Sequence, residues 1–142
     1  MDYRSGSPTV YNIEYHFVWV TTYRSKVLTG DVALRVRALV RQTCAICEIT
    51  SLTGVVSKDH VHILVSTPPH MAPSAIRRRI KGRSSSKLCE EFPLRKKRYW
   101  GRHCWARGYF CATVGQMTDA MIKEYLEHHF EPNPSDNFRT ED

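Results

Sequence analysis

The chain has 142 residues, 42% of them hydrophobic and 25% charged, with a formal net charge of +7. That length supports one domain with a single core, and no apolar run, internal repeat or low-complexity stretch points to a membrane span or a repeat architecture. Residues 71–110 carry twelve Lys or Arg against Glu90 and Glu91, a net of +10, which leaves −3 for the rest. A basic block followed by an acidic stretch points to a nucleic-acid partner.

Taken in chain order, a first strand is expected over about 10–20, with Tyr11, Ile13, Tyr15, Phe17 and Trp19 on one side. A helix follows over about 31–47, with Thr29 or Asp31 as cap. Cys44-Ala45-Ile46-Cys47 falls late in that helix, where thioredoxin-like pairs do not lie. Cys89, Cys104 and Cys111 supply no second C-x-x-C for a zinc ribbon. Five cysteines, an odd number, and the lack of a signal-peptide pattern predict free thiols in a reducing cytoplasm.

Strands over about 50–57 and 60–67 are joined by a tight turn at Ser57-Lys58-Asp59. In the second, Asp59-His60-Val61-His62-Ile63-Leu64-Val65, alternation puts His60 and His62 on one face and Val61, Ile63 and Val65 on the other. The two histidine Cα atoms then stand roughly 6.6 Å apart, within reach of a shared ion. Neutral imidazole is a common ligand for divalent metals. By itself the pair fits equally well the polar side of a half-buried strand.

Pro73-Ser74 opens a helix carrying Arg77, Arg78, Arg79, Lys81, Arg83 and Lys87. Pro93 closes it, and Arg95, Lys96, Lys97 and Arg98 run into Tyr99-Trp100. These cations are the candidate DNA-binding residues, because they would neutralise phosphates. Trp100, Trp105 and Tyr109 are assigned to the core rather than to base stacking. A last strand lies near 107–114. After a Gly115 hinge, Met117–Phe130 reads as an amphipathic helix in which Met117, Met121, Tyr125 and His129 form one stripe at i, i+4 spacing. His128 lies about 100° away from His129 around the helix. The ordered core is expected over about 10–130, with 131–142 a polar tail. The element order is β-α-β-β-α-β, an α+β, ferredoxin-like (RRM-like) sandwich with helices on one sheet face, the histidines on the other, and a C-terminal helix carrying the tyrosine.

Tyr15-His16-Phe17-Val18-Trp19 with Tyr23-Arg24, the Val56–Leu64 segment, Trp100-Gly101 with Trp105, and Tyr125-Leu126-Glu127-His128-His129 resemble, in that order, the small tyrosine HUH transposases of bacterial single-strand insertion sequences. The resemblance implies that Tyr125 is the catalytic nucleophile and that His60 and His62 bind a divalent metal, Mg²⁺ or Mn²⁺. Where the family usually has a glutamine as third ligand, His129 stands here, a change that makes the site softer. The resemblance also implies a single-stranded DNA substrate with hairpin ends, a 5′-phosphotyrosine intermediate, a homodimer, and no nucleotide cofactor. The phenol's ordinary pKa near ~10 leaves it protonated at neutral pH. The motif shows no dedicated general base. The alternative is a noncatalytic or domesticated protein that recognises DNA hairpins, since the same architecture also serves RNA recognition. A structural zinc site built from His60, His62, His103 and Cys104 would lack a known spacing.

Overall fold

A computed structural model describes residues 4–5, 10–101, 103–113 and 119–128. Its principal elements are β1 (Glu14–Val20), α1 (Gly30–Ile46), β2 (Thr50–Val56), β3 (His60–Ser66), α2 (Pro73–Glu91), β4 (Phe110–Thr113) and α3 (Asp119–His128). A small ribbon pairs Arg4–Ser5 with Val10–Tyr11, so the strand expected over 10–20 is two pieces. Val114, Gly115 and the expected tail 131–142 lie outside the described residues.

The four strands form an antiparallel sheet in the spatial order β2-β3-β1-β4. With α1 and α2 as the two crossovers, this is the ferredoxin-like arrangement. Alternation along β3 decides which face the helices cover: Val61, Ile63 and Val65 are 1%, 3% and 0% exposed, while His60, His62 and Leu64 are half-buried. Phe17 and Trp19 of β1 join the same core. Val32, Val36, Leu39 and Val40 supply the α1 stripe, and Ile76, Ile80 and Leu88 the α2 stripe, both at the spacing of one helix face. Burying such side chains is worth about 1.5–3 kcal/mol each.

Trp100 and Trp105 are buried, as expected of core aromatics. Trp105 meets Trp19 edge-on, with ring centroids 5.9 Å apart, and its Nε1 donates to Ser84 Oγ at 2.9 Å. All five cysteines are free thiols. Burial pushes Cys44 and Cys111 up to about 11 and Cys104 to about 12, so these thiols stay protonated and unreactive. Thr29 occupies the cap position of α1 but makes no side-chain cap bond.

The sheet face opposite α1 and α2 is less open than the sequence implies. Val18 and Val20 point to that face and are buried. At the other end of the sheet β2 is an edge strand, almost wholly exposed, with a bulge between Ser51 and Thr53. No described helix is long and apolar enough to cross a membrane.

Candidate active site

The antiparallel register sets the site. Val55 of β2, His62 of β3, Val18 of β1 and Phe110 of β4 are successive Cα partners, so they form one row across the histidine face. His60 stands opposite Val20, two residues along β3. His16, opposite Leu64, lies diagonally from His62, and the two rings meet: Nδ1 of His16 and Nε2 of His62 are 3.0 Å apart, one donating and the other accepting.

His60 is held differently. Its Nδ1–H donates to Asp59 Oδ1 at 2.9 Å. This bond fixes the tautomer and leaves Nε2 with its lone pair, the usual arrangement for a metal-ligating imidazole. Asp59 is itself buried, and its other oxygen accepts from Arg24 Nε at 2.7 Å. Burial alone would raise the Asp59 carboxyl; the hydrogen bonds from His60 and Arg24 and the Arg24 charge outweigh it and hold the group below its ordinary value.

Tyr125 reaches the same face from α3. Its ring packs on Phe110 with centroids 5.4 Å apart, two strands along the row from His62. Burial pushes its phenol up to about 12. Arg24 Nη1 donates to the carbonyl of Leu126, the next residue, at 2.9 Å. Two of the expected metal ligands, His60 and His62, and the expected nucleophile are therefore on one face. His129 lies outside the described residues. Among the described residues no group of three or more His, Cys, Asp or Glu is placed to hold a metal.

The basic block does not form a uniform surface. Arg78, Arg79, Lys96, Lys97 and Arg98 are exposed and Lys87 is half-buried. Arg77 lies over the Tyr109 ring at 5.2 Å, Arg83 donates to Gln42 at 2.9 Å, and Arg95 donates to the Val27 carbonyl at 2.9 Å. Lys81 departs furthest from its expected role. It is only 9% exposed, and its ammonium donates to the carbonyls of Ala106 and Gly108 at 2.8 Å each, bracing the loop before β4. Desolvation, aided by the nearby Arg77 charge, pulls Lys81 down to about 8. Together with Arg77, Ser85, His103, Arg107 and Tyr109 it lines a cleft of about 470 Å³.

Sequence reasoning passes over three residues at this site. His16 carries a legible signal, because alternation along β1 puts it opposite Tyr15 and Phe17, on the side that later receives His60 and His62. Asp59 adjoins the histidine motif. Arg24 is in the Tyr23-Arg24 turn that carries part of the resemblance, but nothing local points to its contact with Leu126, 102 residues away.

Residues 9–129 match the family described as IS200-like transposase. The chain is 33% identical over 127 residues to the ISDra2 transposase TnpA of Deinococcus radiodurans, covering 89% of this chain and 91% of that protein. It is 35% identical over 130 residues to the transposase for insertion sequence element IS200 of Salmonella typhimurium, covering 92% and 85%. A transposase-like crystal structure from Deinococcus radiodurans R1 superposes with a TM-score of 0.82 at 31% identity, covering 87% of this chain and 95% of that one. A REP-associated tyrosine transposase bound to a REP hairpin has the same fold, with a TM-score of 0.54 at 14% identity over 92% of this chain and 68% of that one. With its fold and with the histidine pair and tyrosine on one face, the chain belongs to the IS200-like transposase family.

Proposed function

We propose that the chain is a metal-dependent DNA strand transferase, cutting and rejoining single-stranded transposon ends that carry hairpins. The observation that carries this reading is the convergence of His60, His62 and the Tyr125 ring on one sheet face. In this reading His60, His62 and His129 hold Mg²⁺ or Mn²⁺. The fit rests on the imidazole donors and on the Asp59 hydrogen bond that already sets the His60 tautomer. A bound divalent ion acts as a Lewis acid on a non-bridging phosphate oxygen.

Tyr125 Oη attacks phosphorus as the bond to the 3′-oxygen breaks. The phenol gives up its proton, the leaving 3′-oxygen takes one up as a hydroxyl, and a 5′-phosphotyrosine remains. The new ester keeps the energy of the old one, so a different 3′-hydroxyl can reverse the step without ATP. Burial against Phe110 raises the phenol further above neutral pH, so ionising Tyr125 in this position costs more than in water.

The exposed cations of α2 and of Lys96-Lys97-Arg98 are assigned to the DNA backbone. The exposed outer edge of β2, with Leu52 and Val55 44% and 57% exposed, supports pairing with a second copy in a homodimer.

The test is incubation with labelled hairpin-bearing single-stranded DNA and Mg²⁺ or Mn²⁺, followed by denaturing electrophoresis. A protein–DNA adduct that is lost in Tyr125→Phe and with chelator is expected. Hairpin binding with no adduct in either metal would replace this reading with the binding-only alternative, for which the engaged His62 Nε2 and the covered phenol speak.

A further inference from the structure

We infer that Arg24 is a positioning residue of the strand-transfer site, tying the C-terminal end of the tyrosine helix to the carboxylate that orients His60. The inference rests on the function proposed above. One guanidinium makes both contacts, Nε to Asp59 Oδ2 at 2.7 Å and Nη1 to the Leu126 carbonyl at 2.9 Å. Asp59 Oδ1 in turn accepts from His60 at 2.9 Å. A continuous chain of three hydrogen bonds thus joins one proposed metal ligand to the residue next to the proposed nucleophile.

Each link has a physical reason. Leu126 follows Tyr125 directly in α3, and a backbone carbonyl has two lone pairs, so its oxygen can accept from the guanidinium whatever else it accepts. Arginine can serve two acceptors from one planar fork, which a lysine ammonium on a flexible stem does not reproduce. The backbone around it is unusual: Tyr23 and Arg24 have φ of 57° and 52°, in the left-handed region that bulky side chains rarely adopt. That turn is held by Thr21 Oγ1 donating to the Ser25 carbonyl at 2.8 Å, by Thr22 Oγ1 donating to the His103 carbonyl at 2.6 Å, and by Arg24 N–H donating to the Thr21 carbonyl at 2.9 Å. The result of holding this conformation is an arginine delivered between β3 and α3.

An ion pair that only braced the turn would affect Asp59 and its neighbours and leave α3 alone. The clamp instead couples docking of α3 to the orientation of His60. Hydrogen exchange on the full chain, parent against Arg24→Gln and Arg24→Lys, separates the two. In Arg24→Gln the amides of 119–128 are expected to exchange about tenfold faster, as for loss of one charge-assisted hydrogen bond, with β1 and β3 unchanged. Arg24→Lys, which keeps a cation beside Asp59, is expected to show the same loosening of α3; it carries the test if the glutamine variant does not fold. Hairpin affinity should stay within about twofold while the single-turnover rate of adduct formation falls by about tenfold or more.

Unchanged exchange in α3, or a uniform rise across the sheet, would overturn the clamp. A parent protein that forms no adduct with any hairpin would instead overturn the functional reading, and the exchange measurement would still report on the clamp.

Discussion

His16 Nδ1 and His62 Nε2 are joined by a hydrogen bond 3.0 Å long, and under the function proposed above, with His62 ligating through Nε2, a metal ion has to displace it. Replacing His16 with phenylalanine keeps the ring volume and removes the competitor. One hydrogen bond is worth about 0.5–1.5 kcal/mol, so Mn²⁺ affinity by calorimetry should rise roughly two- to twelvefold. A fall in affinity would make His16 a ligand in its own right.

Lys81 gives a pH signature. Its folded value, about 8, lies below the ordinary 10.5, so between these values the unfolded chain binds more protons and stability rises with pH. Compared with Lys81→Met, the melting temperature of the parent should climb relative to the variant from pH 8 towards 10.5. A constant difference between the two over that window would show that the ammonium is not penalised by its burial.

The exposed cations and the buried one should also separate in DNA binding. Changing Arg78 and Arg79 together to alanine should reduce the slope of log affinity against log salt by about 2 and weaken different hairpins nearly equally. Lys81→Met should leave the slope alone. If the slopes move the other way round, the phosphate contacts lie in the Lys81 cleft.

The β2 edge is tested with Leu52→Lys, which puts a charge where a second copy would pair. Sedimentation equilibrium should show the parent as a dimer and the variant dissociating at least about tenfold more readily, the equivalent of losing one buried leucine. A parent that is monomeric, or a variant that dimerises as well as the parent, would remove the edge from the interface.

What the sequence makes legible here is local. Period-two alternation separates His60 and His62 from Val61, Ile63 and Val65, and helical spacing finds the core stripe of α1, because each depends on residues a few positions apart. The row joining Val55, His62, Val18 and Phe110 is not local: it depends on which strands pair and in what register. Lys81 shows the same limit. Its place in a basic helix suggests solvent or DNA, yet the loop carbonyls of Ala106 and Gly108 claim it, and only the packed chain brings them together.

The sheet order also bears on how the protein comes to be folded. β1 is the first of the four strands to be made and sits inside the sheet, between β3 and β4. At about 5–20 residues per second it waits roughly 5–20 s on the ribosome before residue 113 is synthesised and its second edge can be covered. Its contacts are therefore far apart in sequence, the condition under which two-state domains fold slowly. During that interval Phe17 and Trp19 lack Tyr109 and Trp105, the late-made rings that pack against them, so this part of the core closes only when the segment just before β4 arrives.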